Sequence, residues 1–345
     1  MVIVSRSARF FLAASCTALL ASVVACTAPA DEATDGSVNA LVSGSRDWSG
    51  HPAIVQIDTA SEVYAISDIH GGYAQLGTLL TQNGLISGFN QDPAKAASIK
   101  WTGKTAIFVV AGDLIDKGVE SLGVIDLLRA LEPQAARAGG RLVVTMGNHE
   151  AEFLDDPKND KATASDNDGI GITVELKKKG IDPKAFAAGT DPEGRGAWLR
   201  SLPMAVRIKK WFFSHGGNTG GDSIDKLEKR FESALDGKNG FGDKDITGGD
   251  SILEAQSWWG KKAKDYADKL GVKHMVFGHD PGALDDRGRI LAAEDGALIK
   301  IDVNMGLRHE SKPLVGGALL HIKILADAPD TAESLDSSGT ETPVL

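Results

Sequence analysis

The chain has 345 residues, 42% of them hydrophobic, which is enough to bury a large core in one domain or two small ones. Its 37 basic and 47 acidic residues give a formal charge of −10, which argues against nucleic acid as a partner, because such binders need a basic surface. Both cysteines lie within the first 26 residues, so any metal in the rest of the chain must be bound by nitrogen and oxygen.

The N-terminal residues have the pattern of a targeting segment. Arg6 and Arg9 precede an apolar run, Phe10 to Ala25, that is short for a membrane span. Val23-Val24-Ala25-Cys26 resembles a bacterial lipobox, where cleavage leaves a lipidated cysteine. We therefore expect residues 1–26 to be a signal peptide and the protein to be exported to the periplasm or outer membrane, anchored only through Cys26. The alternative is an ordinary cleaved signal in which Cys26 is incidental.

Two further segments are predicted to lie outside the folded domain. Residues 27–49 are small and polar, which is typical of a flexible tether. Residues 326–345 are acidic and rich in Pro, Ser and Thr, a composition that predicts disorder. The folded domain is accordingly expected over residues 50–325.

Between these ends, β-prone runs alternate with helical patterns, which predicts an α/β fold. Leucines on one face predict a helix over residues 73–83, and a second helix is predicted over residues 119–132, ended by Pro133. Strands at residues 297–303 and 318–325 are expected to complete a second sheet.

Two polar stretches have the pattern of insertions. Residues 152–188 and 226–249 are charged and are expected to form solvated loops and surface helices. Because both leave from strand ends that carry polar motifs, some of their residues are expected to rim the cleft.

Five polar stretches each follow directly on an apolar, β-prone run. They are Asp68-Ile69-His70-Gly71-Gly72, Gly112-Asp113-Leu114-Ile115-Asp116, Gly147-Asn148-His149-Glu150, His215-Gly216-Gly217 and Gly278-His279. Since the outgoing ends of parallel strands meet at one edge of a sheet, their side chains are expected to converge. Carboxylate, amide and imidazole groups bind hard and borderline metals, so the pattern predicts a two-metal hydrolytic site.

This ligand set suits the hydrolysis of a phosphate ester. The reaction needs a nucleophile at neutral pH and stabilisation of the phosphoryl oxygens, and two metal ions about 3.5–4 Å apart supply both. Asp68 and His70 leave one strand and can face the same ion, and Asp113 is placed to bridge two ions. Asn148, His215 and His279 come from three further strand ends and can complete the ligand shell of the second ion.

In order and residue type, the five stretches resemble the calcineurin-like metallophosphoesterases, in particular their phosphoprotein-phosphatase branch with its motifs GDxHG, GDxxDRG, GNHE, HGG and GH. The resemblance covers about residues 63–303. It implies an α/β fold in which two packed mixed β-sheets are flanked by helices, with a dinuclear metal site at the C-terminal ends of the strands.

The resemblance also implies roles for individual residues. The first metal would be held by Asp68, His70 and Asp113, and the second by Asp113, Asn148, His215 and His279. His149 would be the general acid, oriented by Asp116, whose carboxylate would fix the tautomer of the ring. Glu150 is assigned to structure, at a helix start where an anion is favoured. Mn is the metal expected first, with Fe, Zn or Ni as alternatives.

The sequence departs from the family pattern in two places. Lys117 replaces the usual arginine; it can bind phosphate as a point charge but lacks the bidentate fork of arginine. The last motif has no second histidine, so the first metal is expected to complete its shell with water. A second phosphate-binding arginine is not located by motif, and three candidates remain: Arg287, Arg289 and Arg308. Trp258 and Trp259 could line the cleft or form a buried pair.

The leading hypothesis is an exported phosphomonoesterase that uses metal-activated water on phosphoserine, phosphothreonine or phosphotyrosine in proteins. Another enzymatic reading is the hydrolysis of dinucleoside polyphosphates or other nucleotides on the same scaffold. A non-enzymatic reading is a metal-binding surface lipoprotein without activity. The intact pairing of His149 with Asp116 and the full ligand set argue against that third reading.

Overall fold

The computed structural model describes residues 46–165, 169–285, 287–305 and 317–345. The strands are β1 (Ile54–Ile57), β2 (Glu62–Ile66), β3 (Ile86–Ser87), β4 (Lys100–Trp101), β5 (Ile107–Val110), β6 (Arg141–Val144), β7 (Ala205–Ile208), β8 (Trp211–Ser214), β9 (His274–Phe277), β10 (Leu291–Ala293), β11 (Leu298–Lys300), β12 (Ala318–Lys323), β13 (Thr331–Asp336) and β14 (Glu341–Pro343). The α-helices are α1 (Tyr73–Gln82), α2 (Ser121–Arg137), α3 (Asn148–Asp155), α4 (Asp160–Thr163), α5 (Ile172–Lys178), α6 (Pro183–Ala187), α7 (Arg195–Ser201), α8 (Ile224–Asp236), α9 (Lys244–Thr247) and α10 (Lys262–Leu270).

In the described part of the chain, the strands form two six-stranded mixed sheets and a small pair, β3 with β4. The first sheet has the order β1-β7-β8-β9-β11-β10, and the second has the order β14-β13-β12-β2-β5-β6. Strands β8, β9 and β11 run parallel in the first sheet, as do β2, β5 and β6 in the second. The predicted architecture of two mixed sheets flanked by helices is confirmed.

The parallel strands are the most deeply buried part of the fold. Every residue of β5 is buried, and Trp211, Phe212 and Phe213 of β8 are fully buried. Continuous apolar runs of this kind are typical of parallel strands covered on both faces. Side chains from both sheets belong to one contiguous core. The loops that carry the polar residues therefore begin at strands that are held firmly in place.

The first predicted helix is confirmed, and the second is longer than predicted. Helix α1 buries Leu76, Leu79 and Leu80, as its periodicity requires. The prediction that Pro133 ends the second helix is wrong, because α2 continues to Arg137 with the proline inside it. Proline removes one helical N–H, but buried side chains on either side of it keep α2 packed on the core.

The two polar insertions form surface helices, as predicted. Residues 152–188 contain the end of α3 together with α4, α5 and α6, and residues 226–249 contain most of α8 and all of α9. Their buried residues include Leu176, Phe186 and Phe231, so both insertions are packed on the core rather than freely solvated.

The last strands differ from the sequence prediction in two ways. Strands β11 and β12, expected in one sheet, lie in different sheets. The prediction that residues 326–345 are disordered is wrong, because β13 pairs with all of β12, and β14 pairs with β13. Ala332 and Leu335 are buried, and the Trp211 indole N–H donates to Asp330 at 2.8 Å. Composition gave no sign of these strands because their stability comes from antiparallel pairing and from only a few buried apolar side chains.

The end of the predicted tether also belongs to the fold. The guanidinium of Arg46 donates to the carbonyl oxygen of Ser201 at 2.8 Å and to that of Leu202 at 3.1 Å. The predicted signal peptide, including Cys26, and residues 27–45 of the tether lie outside the described residues. Among the described helices, none combines the length and the apolar character needed to cross a membrane.

We expect replacement of Leu335 by Ala to lower the free energy of unfolding by about 2–3 kcal/mol, because it leaves a cavity between β13 and the core. Thr342→Ala, on exposed β14, should change it by less than about 0.5 kcal/mol. Chemical denaturation of the full-length variants measures both values. Equal stability of the two variants would show that the C-terminal strands do not contribute to the fold.

Candidate metal centre

The six predicted metal ligands come from the ends of strands in both sheets. Asp68 and His70 follow β2, and Asp113 follows β5 in the same sheet. His215 follows β8 and His279 follows β9 in the other sheet, while Asn148 is the first residue of α3. The convergence is as predicted, but it joins the edges of two sheets rather than one.

The carboxylate of Asp113 lies at the middle of this group and is 2% exposed. Its Oδ1 is 3.3 Å from His215 Nε2. Its Oδ2 is 3.5 Å from His70 Nε2 and 3.8 Å from His149 Nε2. The two oxygens therefore face different histidines, which is the arrangement that a bridging ligand needs.

Backbone carbonyls fix the orientation of two of the histidine rings. His70 Nδ1 lies 2.9 Å from the oxygen of Ile115, and His215 Nδ1 lies 2.8 Å from the oxygen of Ala111. Because a carbonyl only accepts, each Nδ1 carries a proton, and Nε2 is the ring nitrogen that faces Asp113. Such outer contacts are typical of histidines that bind metals.

The remaining ligands, His279 and Asn148, are also held with a ligand atom directed into the site. His279 Nε2 lies 3.1 Å from the oxygen of Glu254, which leaves Nδ1 as the free ring nitrogen. Asn148 Oδ1 lies 3.0 Å from His215 Nε2, so the amide oxygen and the ring nitrogen meet at one point. Imidazole nitrogen, amide oxygen and carboxylate are ligands that divalent metals accept, so the donor set fits such a metal.

The electrostatics of the site also favour a cation. Burial alone would lower the pKa of His215, but the charge of Asp113 and a hydrogen bond to it raise that pKa to about 10. His70 shows the opposite balance, because burial and the neighbouring Lys117 hold its pKa well below the ordinary value. The negative charge of Asp113 thus favours a positive charge on the side of the site where it faces His215.

Two groups of side chains have ligand atoms within 4.8 Å of one another: His70, Asp113 and His149, and Asp113, His215 and His279. Asp113 belongs to both groups, as the prediction of a bridging role requires. Asp68 lies beside the first group, with Oδ1 3.8 Å from His70 Nε2. The division of ligands between two ions remains a prediction.

The predicted acid pair is formed. His149 Nδ1 lies 2.8 Å from Asp116 Oδ2, and both side chains are buried. Since the carboxylate accepts a proton from Nδ1, the opposite nitrogen, Nε2, is directed to the Asp113 side of the site. His149 can therefore act on a group bound near Asp113 while Asp116 holds the ring in place.

Lys117 also reaches the site, although its side chain is largely exposed. Its ammonium nitrogen lies 2.9 Å from His70 Nε2. The position that commonly holds an arginine thus brings a single point charge to the edge of the metal centre.

Several site residues have a left-handed backbone, with φ between 45° and 66°; they are Asp68, His70, Asp113, Asp116, Lys117 and His279. This conformation costs about 1–3 kcal/mol for a residue other than glycine and is common at functional sites. Cross-links hold it: the N–H of His70 donates to the oxygen of Asp113 at 2.9 Å, and the N–H of His279 donates to Asp68 Oδ2 at 3.0 Å.

Glu150 is the main structural support beneath the ligands, as predicted. Its carboxylate is fully buried and accepts from the N–H groups of four residues: Asp113, Leu114, Ile115 and Gly147. Burial and the charge of Asp113 raise its pKa to about 7. A side chain at Gly147 would collide with Asp113, so glycine is required at the start of α3.

One acidic residue at the site was not identified from the sequence. Asp302 follows β11, is 2% exposed, and accepts from the N–H of Asn304 at 2.8 Å. Burial and the charge of Asp68 raise its pKa well above the ordinary value. The signal that could have found it is the one used elsewhere, an acidic residue at the outgoing end of an apolar strand.

The two neighbouring tryptophans favour the buried interpretation. Trp258 is buried and donates to the oxygen of Gly216 at 2.7 Å. Trp259 is partly buried and packs against Phe277, with ring centroids 5.5 Å apart. Of the three arginine candidates, Arg287 and Arg289 are exposed and Arg308 lies outside the described residues.

Parts of the chain are similar to known phosphatases. A stretch of 121 residues, 34% of this chain and 29% of the relative, is 32% identical to Shewanella-like protein phosphatase 2 of Arabidopsis thaliana. A stretch of 155 residues, 45% of this chain and 42% of the relative, is 28% identical to the symmetrical bis(5'-nucleosyl)-tetraphosphatase of Methylococcus capsulatus. The chain thus spans less than half the length of these two relatives.

A solved structure shows the fold, and the sequence profile shows the family. The structure of the cold-active protein-tyrosine phosphatase of a psychrophilic Shewanella species covers 85% of this chain and 82% of its own, with a TM-score of 0.63 and 19% identity, and so shares the fold. The profile of the calcineurin-like phosphoesterases matches residues 62–283, more than half of the chain, and includes all five ligand-bearing stretches. The chain therefore belongs to the calcineurin-like phosphoesterase family.

Proposed function

We propose that this protein is an exported, metal-dependent phosphomonoesterase that removes phosphate from serine, threonine or tyrosine residues of proteins. The observation that carries the proposal is the position of Asp113, which faces His70, His149 and His215 within 3.8 Å while His149 is paired with Asp116. Ligands for metals and a proton donor thus meet at one carboxylate.

The proposed ligand sets follow the sequence prediction. Asp68, His70 and Asp113 would hold one ion, and the other would be held by Asp113, Asn148, His215 and His279. Bound there, two divalent ions would acidify a water and neutralise the phosphoryl oxygens. Mn²⁺ is the proposed metal, with Fe, Zn or Ni as alternatives that nitrogen and oxygen ligands also accept.

The protein's own groups would act on the leaving group and the phosphate. His149 Nε2 would donate a proton to the departing oxygen, and Asp116 would stabilise the charged ring through its 2.8 Å contact with Nδ1. Lys117 would contribute a point charge to a phosphate oxygen. These roles place the proton donor and the phosphate on the same side of Asp113.

The proposed substrate is supported by the similarity to a Shewanella-like protein phosphatase. A second candidate is the hydrolysis of a dinucleoside polyphosphate, which the similarity to a bis(5'-nucleosyl)-tetraphosphatase favours. Export disfavours the second candidate, because dinucleotide substrates are chiefly cytoplasmic.

Replacement of Asp113 by Asn should reduce the bound metal to less than half of the wild-type content, because both ions would lose the shared negative charge. Elemental analysis of the full-length chain loaded with Mn²⁺ measures this. Asp225→Asn, on the exposed face of α8, is the matched control and should keep full metal content. Full metal content in Asp113→Asn would contradict the bridging role.

With Mn²⁺, the full-length protein is expected to release phosphate from an aryl phosphate and from phosphopeptides faster than it cleaves diadenosine tetraphosphate. His149→Asn should lower kcat on a phosphoserine peptide by about 100-fold or more while sparing metal content, because general-acid catalysis contributes on that scale. His51→Asn changes a histidine outside the site and should leave kcat unchanged.

The substrate panel separates the candidates. Faster cleavage of diadenosine tetraphosphate would favour the nucleotide hydrolase, and no hydrolysis of any aryl phosphate or phosphopeptide would refute the proposed activity. A kcat on the phosphoserine peptide that His149→Asn barely changes would refute the acid role of His149.

The proposed lipid anchor depends on Cys26. In a Gram-negative host, the wild-type chain should appear in the membrane fraction and incorporate labelled palmitate, whereas Cys26→Ser should not be labelled. Cys16→Ser alters the other cysteine of the apolar segment and should behave as the wild type. Labelling that survives Cys26→Ser would show that the anchor is elsewhere.

A further inference from the structure

A second buried carboxylate lies behind the pair formed by His149 and Asp116. Glu175, in α5 of the 152–188 insertion, is 2% exposed. Its Oε2 accepts from the N–H of Ser121 at 2.8 Å, and its Oε1 accepts from the N–H of Leu122 at 3.2 Å. These are the first two residues of α2, so a carboxyl group from the insertion accepts from N–H groups that have no partner within the helix.

Asp116 is held by the same two helices that Glu175 joins. The N–H of Asp116 donates to Ser121 Oγ at 3.2 Å. Asp116 Oδ1 accepts from the N–H of Ile172, the first residue of α5, at 2.7 Å. Its other oxygen, Oδ2, contacts His149 Nδ1 at 2.8 Å. One side of Asp116 is therefore fixed by α2 and α5, and the other side fixes His149.

The segment before α5 packs tightly against the loop that carries Asp116. The N–H of Ile170 donates to the oxygen of Gly118 at 3.0 Å. A side chain at Gly169 would collide with the carbonyl of Lys117, so this close approach requires glycine. Ile172 is fully buried, which anchors the start of α5 in the core. The insertion is thus built onto the acid pair rather than lying loosely beside it.

Capping of α2 by itself does not explain this arrangement. The residue before α2, Glu120, makes no side-chain cap, and a local cap there would have satisfied the helix without the insertion. Glu175 instead comes from an insertion that also donates an N–H to Asp116. The effect of Glu175 therefore reaches the site through Ser121 and Ile172.

We propose that Glu175 is a positioning residue for proton donation: it clamps α2 to α5 around Asp116, and Asp116 in turn sets the position of His149. This inference rests on the proposed phosphomonoesterase function. Without the clamp, the Asp116 carboxylate gains rotational freedom and the His149 ring loses its fixed direction. Small losses of alignment at a proton donor lower the rate without preventing substrate binding.

The leaving group distinguishes positioning from general structural support. The serine alkoxide that departs from phosphoserine is a poor leaving group and needs a proton from His149, whereas 4-nitrophenolate leaves well without one. A defect in proton donation is therefore selective for the serine ester, while general damage to the site lowers both rates equally.

The test compares kcat for a phosphoserine peptide and for 4-nitrophenyl phosphate in the full-length, Mn²⁺-loaded protein. Glu175→Gln places an amide N–H₂ against backbone N–H groups, and should lower kcat on the phosphopeptide by about 10- to 100-fold, within the range of general-acid effects. The rate on 4-nitrophenyl phosphate should change by less than about threefold, with KM and metal content unchanged. His149→Asn is the reference and should show the same selectivity more strongly.

Two further variants test the same contacts, so the test does not depend on whether the Glu175→Gln protein folds. Ser121→Ala removes the acceptor of the Asp116 N–H and should give the same selective loss. Ile172→Pro removes the N–H that reaches Asp116 together with the buried isoleucine side chain, at a helix position where proline is well tolerated. Ile172→Ala keeps that N–H, loses at least as much buried side-chain volume, and should keep selectivity close to wild type.

Glu341→Gln, on exposed β14, controls for loss of a carboxylate and should leave both rates unchanged. Equal losses on both substrates, or no loss in Glu175→Gln and Ile172→Pro with wild-type metal content, would overturn the positioning role while leaving the phosphatase intact. A wild-type protein that hydrolyses neither substrate would overturn the proposed function and this inference together.

Discussion

The structure of the site depends on burying one carboxylate, that of Asp113, where the two sheets meet. Removing a carboxylate from water costs several kcal/mol unless charges and hydrogen-bond donors compensate. Burial opposes its ionisation, but the facing histidines, His215 foremost, hold the pKa of Asp113 well below the ordinary value. The backbone N–H of His149 also donates to Oδ1 at 3.1 Å. The arrangement of the surrounding loops follows from the need to surround this charge.

That need explains why strained loops and buried acids occur together. The left-handed residues direct their side chains inward from short loops, which a relaxed backbone would not do. Glu150 fixes the loop after β5 from below by accepting four N–H groups, so the strain is distributed over a rigid base. The same hydrogen bonds therefore stabilise the fold and position the site residues, so we expect a substitution that breaks them to lower both stability and activity.

The parts of the fold that the sequence predicted are those determined locally. Apolar runs located the five site strands, and the glycine-rich polar stretches after them located Asp68, Asp113 and His215, because each signal lies within a few residues. The structural assignment of Glu150 followed from a rule about the first turn of a helix.

The missed features depend on pairing and burial that composition and motifs do not reveal. Strands β13 and β14 lie in a polar, acidic stretch and are stabilised by β12, and α2 continues past Pro133 because its flanks are buried. Glu175 is a typical surface residue by sequence, yet its partners are 53 and 54 positions away. Asp302 had a recognisable strand-end position but no motif around it.

Strand β14 has a consequence for how copies of this protein meet. It is the edge of the sheet that carries Asp68 and Asp113, and sheet edges present unpaired backbone groups to other chains. This edge strand is only three residues long and fully exposed. The charge of Glu341 repels the same edge of a second copy, and Pro343 has no N–H to donate to an incoming strand. A short, charged edge of this kind disfavours strand-to-strand aggregation between copies of the protein.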